Sequence, residues 1–220
     1  MDLSEVSDEL RRRFDEKTAA RELALPAARR SIRASANAIR AIHRGELDEA
    51  HRLMEVSRAA LAAGRDAVAD LHPDVLHAGF LQDAQKEYAE ARLTEAIVTD
   101  DRLPSPEDLG VEIAPYLNGM AESIGEGRRA ILDLLRRGEF ERSERVLAAM
   151  EDIYHLLVSM DYPDAITGNL RRSTDVARGL LERTRGDLSV ALVQRTLQVA
   201  LERLASEVRG DLRGGSDPGP

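Results

Sequence analysis

The stretch LPSPEDLGVEIAPYLNGMAESIGEGRRAILDLLRRGEF, residues 103–140, carries the signals of a long helix and of both its ends. Ser105 is followed by Pro106 and two acids, the order of an N-cap, a first-turn proline and charges that favour the positive end of a helix. Gly138 directly follows Arg137, and glycine is the residue with which helices commonly end. We therefore predict a helix that begins near Pro106 and ends at Arg137.

Helical periodicity continues on both sides of this stretch, and no segment alternates as a strand does. Ala, Leu, Arg and Glu dominate the composition, which is typical of helical proteins. The sequence predicts an all-α bundle of about seven helices that forms a single domain over residues 1–210, with a disordered tail at 211–220. The other predicted helices run to Arg44 with a kink at Pro26, from Glu46 to about Asp70, and from the break at 72–74 to about Asp100. Two more are predicted over 139–160 and over 170–209, the second with a candidate break at Gly186.

The composition excludes several classes of protein. The chain has no Cys, which rules out disulfides and thiolate metal sites. No apolar run approaches the roughly 20 residues of a membrane helix, and the acidic N-terminus does not resemble a signal peptide. We therefore expect a cytoplasmic protein without a membrane partner.

The charge is unevenly distributed along the chain. The net charge is −9, and residues 65–122 alone contain four Lys/Arg against thirteen Asp/Glu. Residues 17–44 contain seven Lys/Arg and one acid. The protein therefore has one acidic and one basic region, and the two can have different partners.

The acidic region includes HAGFLQDAQKEYAEARLTEAIVTD, residues 77–100, in which three carboxylates share a helix face. Asp83 and Glu90 are seven residues apart and nearly eclipsed on a helix, and Glu87 lies between them. No cation stands three or four residues from Glu87 on this helix. Such a row is either a solvated face or part of a divalent metal site, because Mg²⁺ and Mn²⁺ prefer oxygen ligands.

A second acidic position lies in RVLAAMEDIYHLLVSM, residues 145–160. This segment is apolar almost all round, so we expect a buried helix. Glu151 and Asp152 interrupt it, and no Arg or Lys stands three or four residues from Asp152. A buried carboxylate must be protonated, paired with a cation from another helix, or bound to a metal ion.

The basic region includes PAARRSIRASANAIRAIHR, residues 26–44. A row of guanidinium groups on one helix face can bind successive phosphates without reading sequence, or it can be a salt-bridged solvent face. The arginines that fall within roughly 60° of one another on a helical wheel are Arg29, Arg33, Arg40 and Arg44.

The segment DLGVEIAPYLNGMAESIGEGRRAILDLLRRGEF, residues 108–140, resembles the central segment of the translin family. The shared features, in order, are a Leu-Gly-Val start, Tyr-Leu-x-Gly, Gly-Glu-x-x-Arg and a Gly-acid-aromatic stop. The similarity covers most of residues 20–205. It implies the translin-type helical fold and assembly into octameric shells that bind nucleic acid.

The family has a catalytic branch, the translin-associated factor X type, and the sequence resembles that branch most closely. EYAEA at residues 87–91 matches its Glu-aromatic-x-Glu-Ala motif, which implies catalytic and metal-binding roles for Glu87 and Glu90. By this resemblance the third carboxylate is Asp152, with Glu126 and Glu151 as candidate supporting ligands. The implied cofactor is Mg²⁺, with Mn²⁺ as the alternative.

Two functions follow from the resemblance. The first is a metal-dependent endoribonuclease that cleaves single-stranded RNA inside a homo-oligomeric shell, with Arg29, Arg33, Arg40 and Arg44 binding the backbone. The second is a non-catalytic shell that binds RNA or single-stranded DNA. The resemblance also allows a translin-like partner chain.

Overall fold

A computed structural model of the chain describes residues 3–68, 75, 77 and 79–214, and within these ranges it contains helices and no strand. None of the described helices is both long and apolar enough to cross a bilayer. The prediction of an all-α fold is confirmed. The helices are α1 (Leu3–Arg44), α2 (Leu47–Asp66), α3 (Gly79–Thr99), the single turn α4 (Pro106–Leu109), α5 (Ile113–Arg136), α6 (Phe140–Ser159), the single turn α7 (Asp164–Thr167) and α8 (Leu170–Gly214).

Helix α5 lies at the centre of the bundle and packs against α3, α6 and α8. Lys86 of α3 pairs with Glu122 of α5, and further along both helices a Cβ added at Gly127 would lie 3.7 Å from Ile97 Cγ2, so α3 and α5 run in the same direction. The two helices therefore present side chains to each other at matching heights. This arrangement positions the candidate site.

The core is built from both large and very small side chains. Tyr88, Leu93, Ile124 and Met150 are fully buried in its middle. The first helix instead contributes mainly alanines, which let α2 and α3 approach its backbone closely. The buried alanines of α1 are Ala20, Ala24, Ala28, Ala34, Ala38 and Ala41.

The predicted helix ends at Arg44 and Gly138 are confirmed. α1 ends at Arg44, and Gly45 follows with φ +76°; α5 is capped by Arg137, and Gly138 follows with φ +73°. These are the left-handed conformations that glycine adopts without strain.

The predicted start of the central helix is wrong by seven residues. Ser105 does form a capping box with Asp108, but it caps the single turn α4. Gly110 stops that turn with φ +64°, and α5 begins only at Ile113. The N-cap predicted at Ser105 is therefore correct, but Gly110, four residues after Pro106, separates α4 from α5.

Other predicted boundaries differ by a few residues. α1 continues through Pro26, and α2 ends at Asp66 rather than Asp70. α8 passes Gly186 without a break and continues to Gly214, beyond the predicted end at Arg209. The predicted break at 72–74 and residues 215–220 of the predicted tail lie outside the described residues.

Candidate metal centre

The site begins with an unusually close approach between α3 and α5. A Cβ added at Gly119 of α5 would lie 2.6 Å from the carbonyl oxygen of Lys86 and 3.0 Å from the backbone nitrogen of Glu90. Only glycine therefore fits here. The approach brings the backbone that carries Glu87 and Glu90 against the turn of α5 that precedes Glu122.

Three carboxylates from these two helices converge beside this contact. One oxygen each from Glu87, Glu90 and Glu122 can be chosen so that all lie within 4.8 Å of one another. All three side chains are partly buried. Oxygen ligands from two rigid helices at this spacing suit a hard divalent cation.

A single lysine partly balances the negative charge of the cluster. Lys86 Nζ donates to Glu122 Oε1 at 2.8 Å and lies 3.6 Å from Glu87 Oε1. The sequence offered no cation three or four residues from Glu87. Its charge is instead partly neutralised by Lys86, the residue directly before it. Glu90 has no ion pair among the described residues.

A fourth carboxylate, Glu126, lies one helical turn beyond Glu122 on α5. His43 Nε2, at the end of α1, lies 2.5 Å from Glu126 Oε2, and Arg129 lies 3.9 Å away. The hydrogen bond from His43 holds the pKa of Glu126 below its usual range. Glu126 is therefore an ionised carboxylate fixed at the edge of the cluster.

The cluster strongly perturbs the pKa of Glu90. Burial, and after it the charges of Glu122, Glu87 and Glu126, raise this pKa from 4.5 to about 8. Burial also raises the pKa of Glu87, and the charge of Lys86 opposes the rise. Such crowding of carboxylates stores free energy that a bound cation would release.

Replacement of Glu90 by Gln is expected to stabilise the metal-free protein at pH 7 to 8 and to change little near pH 4. In the unfolded chain the Glu90 carboxyl group has a pKa of 4.5 and loses its proton near that pH. In the folded protein its pKa is about 8, so the carboxyl group keeps the proton up to about pH 8. Wild-type stability therefore falls across this interval, because ionisation favours the unfolded state. Glutamine does not ionise, so the variant keeps the stability that the wild type loses. We expect this difference in the free energy of unfolding to be about 2 kcal/mol at pH 7, a value reduced because Glu90 is partly exposed to solvent.

Thermal unfolding in EDTA at pH 5 and pH 8 measures this effect. Asp83→Asn is the control, since Asp83 is an exposed acid on the same helix outside the cluster. A stability difference between Glu90→Gln and wild type that is the same at both pH values would contradict the expectation.

The structure does not bring Asp152 into the cluster. The expected buried helix, α6, buries only one face, and Leu156 and Val158 are exposed together with Asp152. Glu151 instead pairs with Arg185 of α8 at 2.6 Å. The third carboxylate beside Glu87 and Glu90 is Glu122, because α5 lies directly against α3.

Sequence reasoning missed Glu122 although its signal was present. Glu122 precedes Glu126 by four residues, so both lie on one face of the helix. That pair could have been recognised beside the motif containing Glu126. What the sequence did not supply was the register of α5 against α3.

The four arginines of the predicted basic face are exposed on α1. Arg40 donates to Asn37 and Arg44 pairs with Glu46, both at 2.6 Å. Arg29 and Arg33 have no side-chain partner among the described residues. On a helical wheel all four lie within roughly 100° of His43, the residue that reaches Glu126.

Comparison with known proteins bears on the fold and the family of the chain. No family model matches the sequence. An uncharacterized protein of Methanocaldococcus jannaschii is 35% identical over 127 residues, which span 57% of this chain and 57% of that protein.

Three solved structures have the same fold. A crystal structure of AfC3PO is 34% identical with a TM-score of 0.77, and the match covers 89% of this chain and 100% of that one. A structure of AfC3PO in complex with duplex RNA is 33% identical with a TM-score of 0.74, over 89% and 99% of the two chains. Apo-NeC3PO, at 20% identity and a TM-score of 0.73 over 84% and 96%, shares the fold. The chain belongs to the translin family, which includes the C3PO proteins.

Proposed function

We propose that this protein is a metal-dependent endoribonuclease of the translin-associated factor X type. The observation that supports this proposal most strongly is the convergence of Glu87, Glu90 and Glu122 within 4.8 Å of one another. A protein that only bound nucleic acid would have no use for carboxylates that repel phosphates and raise one another's pKa. The cluster therefore favours catalysis over simple binding.

The residues present fit a magnesium or manganese ion. The ion would be held by Glu87, Glu90 and Glu122. Glu126, one helical turn beyond Glu122, would be a supporting ligand. When bound, Mg²⁺ lowers the pKa of coordinated water and neutralises charge on a phosphodiester. The protein's own contribution is to fix the carboxylates on two rigid helices, and Lys86 orients Glu122 by its hydrogen bond.

The basic face of α1 lies at the height of the acid cluster. Arg21 of α1 stacks over Phe80 of α3, and further along Ile42 and Val98 line one cavity, so the two helices run in the same direction. By this register Arg29 and Arg33 stand level with Glu87 and Glu90. RNA bound along this face of α1 would therefore pass the candidate metal centre at the same height along the bundle.

The double substitution Arg29→Gln/Arg33→Gln is expected to weaken RNA binding to a similar extent for all sequences. Each lost phosphate contact should make the slope of log K against log salt concentration shallower by about 0.7 for single strands and about 0.9 for duplexes. Arg52→Gln, which removes an exposed arginine of α2 paired with Glu49, is the control. Titration at several salt concentrations measures the slope, and an unchanged slope would contradict the expectation.

We also propose that the chain assembles into a homo-oligomer of the octameric shell type. The second half of α8 exposes an apolar stripe, Val193, Leu197, Leu201 and Leu204, that no described residue covers. Single exposed apolar residues are common, but a continuous stripe at helical spacing is typical of an association surface. Light scattering on the purified chain, with and without a translin-like partner, measures the assembly.

Cleavage assays with labelled RNA test the proposed activity. Because AfC3PO has been solved with duplex RNA, both single-stranded and duplex substrates belong in the assay. We expect cleavage with Mg²⁺ or Mn²⁺ and none with EDTA. Salt-sensitive binding of RNA or single-stranded DNA without cleavage under any metal condition would favour the alternative, a non-catalytic binding shell.

A further inference from the structure

The acid cluster opens into a cleft that α8 closes on the far side. A cavity of about 410 Å³ has Glu90 and Glu122 on one wall and Arg172, Val176 and Leu180 of α8 on the other. These three α8 residues are spaced by four, so they form one face of the helix. The cleft therefore has an acidic wall and an opposite wall with one cation and two apolar side chains.

The beginning of α8 is fixed against α5 at the height of the cluster. Ser173 Oγ lies 2.8 Å from Asn118 Oδ1, and Asn118 Nδ2 donates to the carbonyl oxygen of Thr167 at 2.8 Å. Asn118 directly precedes Gly119, the point where α5 touches α3. The position of the Arg172 backbone relative to Glu90 is therefore set by packed helices.

Arg172 has no protein partner among the described residues, in contrast to Arg178 and Arg185 of the same helix. Arg178 donates to the Tyr154 hydroxyl, Arg185 pairs with Glu151, and Arg172 has no side-chain bond to any described residue. It lines the cleft without an ion pair to Glu90 or Glu122. Its guanidinium N–H groups are therefore available to an anion.

We propose that Arg172 binds a phosphate of the RNA strand held at the acid cluster. The inference rests on the proposed nuclease function and extends it with a substrate-binding residue. Two guanidinium N–H groups donate to two non-bridging oxygens of one phosphate, a geometry that arginine offers and lysine does not. The strand is thus held between α8 and the carboxylates of α3 and α5.

The same contact would act during cleavage. Charge that develops on the phosphate oxygens is stabilised by the guanidinium of Arg172, whose backbone is held beside the cluster by the packing of α8 on α5. Arg172 is therefore expected to affect both substrate affinity and the rate of the chemical step. Glu87, Glu90 and Glu122 remain responsible for the metal ion.

The first test compares Arg172→Gln, Arg172→Lys and the control Arg171→Gln. Arg171 is also exposed and adjacent in sequence, but it lines a different cavity with Asp161 and Tyr162. We expect kcat/KM for RNA to fall about 10- to 100-fold in Arg172→Gln, to recover partly in Arg172→Lys and to remain within about twofold in Arg171→Gln. Bound Mn²⁺, measured by electron paramagnetic resonance, is expected to be unchanged in all three.

Equal activity of Arg172→Gln and Arg171→Gln would overturn the inference, and so would loss of Mn²⁺ binding or of thermal stability in Arg172→Gln. These results leave wild-type cleavage intact, so they are distinguishable from failure of the nuclease proposal, in which wild type itself is inactive.

A binding arm tests Arg172 even if no cleavage occurs. Here Arg172→Gln and Arg171→Gln are compared in the Glu90→Gln background with a short single-stranded RNA. We expect only Arg172→Gln to weaken binding and to make the salt slope shallower by about 0.7. Identical slopes for the two double variants would overturn the inference.

Discussion

Glu90→Gln is expected to lower metal-dependent RNA cleavage by about 10²- to 10³-fold while RNA binding is retained. Glu90 is the carboxylate on which the others converge: Glu122, Glu87 and Glu126 all raise its pKa. Glutamine has nearly the same shape but is a poorer ligand for a hard cation. Single-turnover cleavage with saturating Mg²⁺ measures the loss.

The control for this variant is Asp83→Asn, which removes an exposed acid two turns earlier on α3. We expect its cleavage rate to remain within about twofold of wild type, because Asp83 is outside the cluster. Equal losses in the two variants would show that general negative charge on α3, rather than a metal centre, supports activity. Full activity of Glu90→Gln would remove this residue from the site.

Among substitutions of a buried glycine by alanine, Gly119→Ala is expected to lower the free energy of unfolding the most. The new Cβ would lie 2.6 Å from the Lys86 carbonyl oxygen and 3.0 Å from the Glu90 nitrogen, and both are backbone atoms that cannot rotate away. α5 must therefore move off α3, at a cost of about 3 kcal/mol. The same movement separates Glu122 from Glu90, so cleavage should fall with stability.

Gly125→Ala is the matched control, since it changes another glycine of the same helix. Its Cβ would lie 3.7 Å from Leu180 Cδ1, an ordinary contact, and alanine favours a helix over glycine by about 0.5–1 kcal/mol. We expect unchanged or slightly raised stability. Urea unfolding measures both variants, and an equal effect of the two would contradict the close approach at Gly119.

Much of the fold follows from local signals, because helix ends depend on a few neighbouring residues. The stops at Gly45 and Gly138 and the cap at Ser105 are readable for this reason. The limit of such reasoning appears at Gly110, where a second glycine ends one turn and delays α5 to Ile113. Local signals identify a helix end without always identifying the helix it belongs to.

The candidate site was only partly predictable, for a different physical reason. Glu87 and Glu90 lie on one helix and within one motif, so sequence spacing and family resemblance suffice to predict them. Glu122 joins them through the register of α5 against α3, a long-range property set at Gly119. Asp152 was expected as the third carboxylate from the family resemblance, and the apolar pattern of α6 also suggested that it would be buried, whereas Leu156 and Val158 face outward.

The most direct measurement compares metal-dependent RNA cleavage by Glu122→Gln and Asp152→Asn under identical conditions. A metal centre formed by Glu87, Glu90 and Glu122 predicts that Glu122→Gln loses cleavage while Asp152→Asn retains it. Loss in Asp152→Asn with full activity in Glu122→Gln would contradict the centre proposed for α3 and α5.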